Sequence, residues 1–240
     1  MKKWMVLIAL LSLGVLALAA DWQDKPFTDW SQDEVRSVLN RSPWVQVQRI
    51  GRPALRAGAG RNDSRLPEGS SVGGRPAQQP SSPSTLESAE VQRFYSIKIM
   101  SQPVRMAMAR WAMLHNGLRE ENARQFVNAG LFNDHIVVGV SVPPGQDASE
   151  LEQDSDVLQD TTFLHLKGSD SKLLLSRYLP PSQTGQADGM FFFPRFDDEG
   201  QPTVSLADKE IRFECGLNRD TKLSQTFKLK KMKFRDKLAL

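Results

Sequence analysis

Three histidines, one cysteine and scattered acidic pairs are what this 240-residue chain offers to proton-transfer or metal chemistry. His115, His135 and His165 stand far apart, and none belongs to an H-E-x-x-H pattern that would set two imidazoles on one helix face around zinc. Asp134-His135 precedes an apolar segment and reads as a turn dipeptide. Cys215 lies in Ile211-Arg212-Phe213-Glu214-Cys215, where alternation puts Ile211, Phe213 and Cys215 on one strand face. A buried, inert thiol is expected there, because no histidine lies near it in sequence to activate it. P-loop and G-x-G-x-x-G patterns are absent. Asp197-Asp198-Glu199-Gly200 has the composition of a hairpin tip before Gln201-Pro202. No catalytic, cofactor-binding or metal-ligating residue is assigned from these patterns. A hydrolase working through carboxylates alone leaves no sharper signature and stays as an alternative.

Two further segments invite a binding reading. Lys222 to Lys237 holds seven basic residues against Asp236, with Phe227 and Phe234 between them. Such a run suits single-stranded nucleic acid or acidic glycans, but equally an edge strand kept from aggregating by lysines, and the edge is expected. Phe191-Phe192-Phe193-Pro194-Arg195-Phe196 reads as core strand, with Pro194 placing it at an edge or bulge.

The elements that must position these residues are partly legible. Ser31 with Glu34 forms a capping-box pattern, and Trp30 can staple onto Val35. Val35, Val38 and Leu39 line one face of the helix that follows, and Pro43 ends it. Trp44 to Ile50 then alternates as a short strand. This stripe is too narrow to fold alone, so the tryptophan-rich segment 21–50 must dock on the main domain or on a partner. Val91 to Met100 reads as a strand with Tyr95, Ile97 and Ile99 toward the core and Phe94, Ser96 and Lys98 opposite. Ser101 and Pro103 open a helix in which Val104, Ala107, Met108, Trp111 and Ala112 share a face. Asn116-Gly117 ends it, a second helix covers 118–129, and Ile136 to Val140 forms a strand buried on both faces. Whether strands 91–100 and 134–142 flank a pocket holding polar side chains is the structural question that would sharpen this reading most.

Asp147 to Asp160 carries six acids and no base, with Leu151 and Leu158 spaced for one helical face. Strands are then expected at Thr161–Leu166, Lys172–Leu179, Met190–Phe196, Thr203–Leu206, Glu210–Leu217 and Leu223–Phe234. In the last, Phe227 and Leu229 fall on one face, but Met232 and Phe234 fall on the other. Both pairs reach the core only if the chain bulges or breaks near Lys230-Lys231. The fold class is α+β, a strand-helix-helix-strand unit followed by a mostly antiparallel sheet.

The N-terminus gives an address. Met1-Lys2-Lys3, an uncharged run from Trp4 and the small residues Ala17-Leu18-Ala19-Ala20 have the layout of a secretory signal peptide over 1–20, with a marginal membrane anchor as the other reading. Without Lys2 and Lys3 the 31 basic residues become 29 against 28 acids, a balance that predicts no nucleic-acid partner. One cysteine allows no intramolecular disulfide, so an exported fold must be held by packing. Between Gly51 and Thr85, 17 of 35 residues are Gly, Pro or Ser and none is aromatic. A disordered linker is expected over 51–86, ahead of a single domain over 87–240.

Lys25-Pro26-Phe27, Trp30-Ser31, Glu34-Val35, Ser42-Pro43-Trp44, Pro103-Val104-Arg105, Phe193-Pro194-Arg195 and Phe227-Lys228-Leu229-Lys230-Lys231-Met232 together resemble a group of uncharacterised exported bacterial proteins. The resemblance implies export and a shared fold and transfers no activity or site residue. The expected function is a non-enzymatic envelope or secreted binding module, periplasmic or secreted, with no cofactor. Its partner would be an envelope protein or the cell wall, and any membrane contact would run through an uncleaved N-terminal segment. A carboxylate-dependent hydrolase acting on wall polymers or glycans is the alternative.

Overall fold

A computed structural model describes residues 21–52, 91–185 and 187–240. The signal segment 1–20 and the linker from residue 53 on lie outside them. Described residues of 21–49 and 94–240 form one compact unit, while Ile50–Arg93 cluster separately. No helix among the described residues is long and apolar enough to cross a membrane.

Local chemistry explains the first helix, α1, Gln32–Arg41. Glu34 N donates to Ser31 Oγ at 3.3 Å and Ser31 N donates to Glu34 Oε2 at 2.7 Å, so both halves of the capping box form. Trp30 and Val35, the expected staple, are both fully buried. The helix stops at Arg41, because Pro43 drives Ser42 to ψ 161°. Strand β1, Val45–Arg52, follows.

Strand β2, Val91–Ile99, buries Tyr95, Ile97 and Ile99 as its alternation requires. Helix α2, Gln102–Asn116, then closes on Gly117 at φ 66°, where a left-handed residue suits glycine. Ser101 occupies its N-cap position, but the Oγ makes no capping bond and is buried without a partner. The second helix, α3, covers only Glu120–Val127, and a single turn, α4, Leu131–Asp134, precedes β3, His135–Ser141. All of β3 after His135 is buried. β2 and β3 pair antiparallel, with Ile99 opposite Val138 and Ser96 opposite Ser141. One helix between two strands would return the chain to make a parallel pair. Here α2 leads away from the sheet end and α3 leads back, so the chain re-enters where it left.

The remaining short helices are α5, Ser155–Gln159, and α6, Pro181–Thr184. The remaining strands are β4, Thr162–Leu166; β5, Ser171–Leu174; β6, Arg177–Leu179; β7, Asp188–Pro194; β8, Glu210–Gly216; β9, Lys222–Lys228; β10, Lys233–Phe234; and β11, Lys237–Leu238. They complete a five-stranded sheet ordered β1-β2-β3-β7-β6, a four-stranded sheet ordered β5-β4-β8-β9, and a small β10-β11 hairpin. Three sequence expectations change here. The single strand expected over 172–179 is two, because the chain switches sheets between Leu174 and Arg177, with Ser176 N donating to Phe192 O at 2.8 Å. No strand forms over 203–206, where Ser205 and Asp208 cap a 3₁₀ turn instead, the local alternative these side chains offer the backbone. Strand β7 is interior rather than an edge, and Pro194 is tolerated because it is the last strand residue.

Two faces of the larger sheet then diverge. Ile99, Val138, Phe191 and Tyr178 are successive register partners, and on this face Phe191 and Phe193 meet Phe213 of β8 at ring centroid distances of 5.3 and 6.3 Å. This aromatic contact joins the two sheets. The helical side has its own core, in which Phe27, Trp30, Val35 and Val38 pack with Ala107, Ala109, Ala123 and Val127. The tryptophan-rich segment thus docks on α2 and α3.

At the far edge, β9 is covered by a side chain acting as a strand. Gln48 Nε2 donates to Lys222 O at 2.9 Å and Gln48 Oε1 accepts from Ser224 N at 2.7 Å. The expected break falls at a 3₁₀ turn, Leu229–Lys231, which lets Phe227, Leu229, Met232 and Phe234 all reach the interior.

Cys215 is buried, with Thr162 Oγ1 donating to its Sγ at 3.3 Å, and burial pushes the thiol from 9.0 up to about 12. The folded state therefore holds its proton more tightly than the unfolded one. Stability from this group is fully present below pH 9 and is lost as the pH rises from about 9 to about 12. A Cys215→Ala variant should show a flatter loss of stability over that window in urea melts. In the native protein the thiol should resist alkylation at pH 8 until denaturant is added.

Candidate functional site

Strand register, not sequence proximity, builds one cavity of the described residues. Lys98 sits on β2 between Ile97 and Ile99, so its side chain takes the face opposite the aromatic core. Ser141 ends β3 and Asp188 opens β7, and the two are register partners of each other. Lys98 lies one strand over and two residues along from them. Lys98 Nζ donates to Ser141 Oγ at 2.9 Å and to Asp188 Oδ1 and Oδ2 at 3.0 and 3.1 Å. Its direct cross-strand partner is Gly139. A Cβ at Gly139 would stand 3.2 Å from Met100 Sδ and 3.5 Å from Asp188 Oδ2, so glycine leaves the room in which the ion pair closes.

Lys98 and Asp188 open onto a cavity of about 610 Å³. Its walls come from Met108, Ala109, Trp111 and Ala112 on α2 and Phe126 on α3, with Asn116, Leu118 and Asn122 at the helix connection. Mostly apolar walls with a few convergent polar groups are the usual make-up of a small-ligand site. Lys98 Nζ is shared between the Asp188 carboxylate and Ser141 Oγ, and Ser141 Oγ accepts from it. The side-chain exposures, 15% for Lys98 and 5% for Asp188, make this a largely desolvated pair.

The histidines do not converge on this site. His115 stacks on Trp111 at 3.8 Å and is within 3.0 Å of Gln32 Nε2, while His135 begins β3 within 3.2 Å of Leu131 O. His165 on β4 meets Glu214 Oε2 at 3.1 Å. No group of three or more His, Cys, Asp or Glu among the described residues is arranged to hold a metal. Asp197 closes the expected hairpin tip, its Oδ1 accepting from Glu199 N and Gln201 N. One G-x-S-x-G match, Gly69-Ser70-Ser71-Val72-Gly73, lies outside the described residues. Its flanking sequence carries neither the apolar strand before it nor the helix pattern after it that a nucleophile elbow requires.

Sequence reasoning left open whether strands 91–100 and 134–142 flank a pocket holding polar side chains, and it did not pick out Lys98, Ser141 or Asp188. The available signal was the lysine itself, a charge set between two core isoleucines. Its partner, 90 residues away, is found only through the sheet.

No protein-family model, curated protein or solved structure matches this chain. What the fold and cavity define is an α+β protein with an apolar pocket floored by an ion pair.

Proposed function

We propose that this chain is an exported, non-enzymatic binding module that takes an apolar or amphipathic small molecule in the α2/α3 cavity. The observation that carries the reading is the pairing of apolar walls with the Lys98–Asp188–Ser141 cluster in a space of about 610 Å³. The apolar part of a ligand would lie against Met108, Trp111 and Phe126, and its polar group against Lys98. Export, an envelope or cell-wall partner and kinship with uncharacterised exported bacterial proteins belong to the same proposal and rest on sequence. The hydrolase alternative is less well supported, because glycoside hydrolysis uses two carboxylates flanking one bond. This cavity presents Asp188 alone, bound to Lys98.

Anilinonaphthalene sulfonate should show a saturable fluorescence rise with the purified protein, and medium-chain fatty acids should displace it. Ala112→Phe, which fills the cavity from a half-buried wall position, should weaken dye binding about ten-fold or more, roughly 1.4 kcal/mol, without lowering the melting temperature. Equal dye binding by that variant would remove the cavity as the site.

A further inference from the structure

A second cavity, of about 510 Å³, is walled by cations that the first does not use. Arg105, near the start of α2, is 8% exposed. It donates from Nε to Val127 O at 3.0 Å and from Nη1 to Met100 O at 2.6 Å, and its guanidinium lies 4.3 Å from the centre of the Phe132 ring. Among the described residues its Nη2 has no hydrogen-bond partner. Arg195, just after β7, uses Nη2 on the carbonyls of Phe132 and His135 and the main-chain oxygen of Leu240. Among the described residues its Nη1 has no partner, and its Nε is buried without one. Every acceptor these two arginines meet is thus a main-chain oxygen. Neither arginine has a side-chain carboxylate within ion-pair distance among the described residues. Buried charges are ordinarily paired, and these two partly buried guanidiniums share a cavity whose lining includes no side-chain carboxylate among the described residues. Both arginines are pushed down from the ordinary 12.5, each chiefly by burial; Arg105, which falls to about 10, is lowered further by the charge of Arg195, while the charge of Asp134 partly offsets the effect of burial on Arg195. Arg235 and Lys237, from the basic run near the C-terminal end of the sequence, are exposed and bring the cavity to four cations.

We infer that this cavity is an anion site for a phosphoryl group, with Arg105 Nη2 and Arg195 Nη1 as the inner donors and Arg235 and Lys237 at the mouth. Guanidinium forks match the oxygen geometry of a phosphate, and a doubly charged group offsets more of the clustered positive charge than a single carboxylate. The group could be carried by a soluble phosphomonoester or by a lipid headgroup, and the two differ in what else they bring to the mouth.

The test uses the full chain at low salt with inorganic phosphate, glycerol phosphate, acetate, and vesicles of phosphatidylcholine with and without phosphatidic acid. Calorimetry should show phosphate and glycerol phosphate binding, with acetate at least about ten-fold weaker. Arg235→Gln with Lys237→Gln, both exposed positions, should weaken phosphate binding by about ten-fold while lowering the thermal midpoint only slightly in its absence, through loss of the exposed bond from Arg235 Nε to Gln23 O. Arg105→Lys keeps the charge but loses the fork, and should weaken binding further. Binding to phosphatidic acid vesicles with no response to soluble phosphates would assign the lipid source, and the reverse would assign a soluble one. Equal responses to acetate and phosphate, no response to any phosphoryl probe, or undiminished binding by the double variant would overturn the inference. The dye experiment above reads a different cavity, so either result can fail without the other.

Discussion

Trp30→Ala should cost this protein about 3–5 kcal/mol, the range for removing a large buried aromatic side chain. Trp30 is fully buried and stands edge-on to Trp22 at 5.1 Å, and its Nε1 donates to Lys25 O at 3.4 Å. Its carbonyl accepts from Arg110 Nε of α2 at 2.9 Å, so the residue joins the N-terminal segment to the helical layer through both side chain and backbone. Typical domains are stable by only about 5–15 kcal/mol, so a loss of this size takes a large part of the total. Urea denaturation should show a lower midpoint at an unchanged slope. The same logic applies to removing residues 21–49 entirely. That deletion takes Phe27, Trp30, Val35 and Val38 from a cluster whose other half is Ala107, Ala109, Ala123 and Val127. Circular dichroism should then find an unfolded or molten chain, not a folded domain that has lost a partner. A cooperative melt near the parent temperature would contradict the packing described.

The second large effect concerns Lys98 and Asp188. Replacing one member of a desolvated pair strands the other, so Asp188→Ala and Lys98→Met should each destabilise by about 3–5 kcal/mol. Asp188→Ala leaves an ammonium against Ser141 Oγ alone, and Lys98→Met leaves a carboxylate facing Met108 and Trp111 across the cavity. Changing both, Lys98→Met with Asp188→Leu, removes the uncompensated charge and should cost less than either single change. A double-mutant cycle measured by urea denaturation would therefore show strong coupling, well beyond the ~0.5 kcal/mol typical of independent sites. Single losses below about 1 kcal/mol would class the pair with exposed ion pairs and mean that water fills the cavity floor. In that case Lys98 would be a poor anchor for a ligand.

Much of the fold follows from short-range signals that the sequence carries openly. Ser31, Glu34, Trp30 and Val35 specify the start of α1 through bonds and contacts within a few residues. The change of register between Leu229 and Met232 requires a break wherever both faces must be apolar, and the 3₁₀ turn at Leu229–Lys231 supplies it. Alternation around Cys215 placed its thiol in the interior. Signals failed where one local pattern has two outcomes. The run 172–179 keeps strand character throughout, but whether it stays in one sheet or crosses to another depends on Phe192 offering its carbonyl to Ser176. Thr203 to Leu206 has strand composition, and the Ser205–Asp208 cap defeats it.

The candidate sites lay further from reach. By itself the sequence determined that the chain is α+β, that it has a single thiol and that its helices precede most of its strands, because those properties depend on residue type and on periods of two and near four. It also marked Lys98 as a charge on a strand. Tertiary structure decided that Lys98 meets Ser141 and Asp188, that Arg105 and Arg195 share a cavity, and that the tryptophan-rich segment packs on α2 and α3. Each of these joins residues tens of positions apart in the chain. Pairing between distant residues is set by sheet register and helix packing over the whole core, and no local pattern of side chains encodes it.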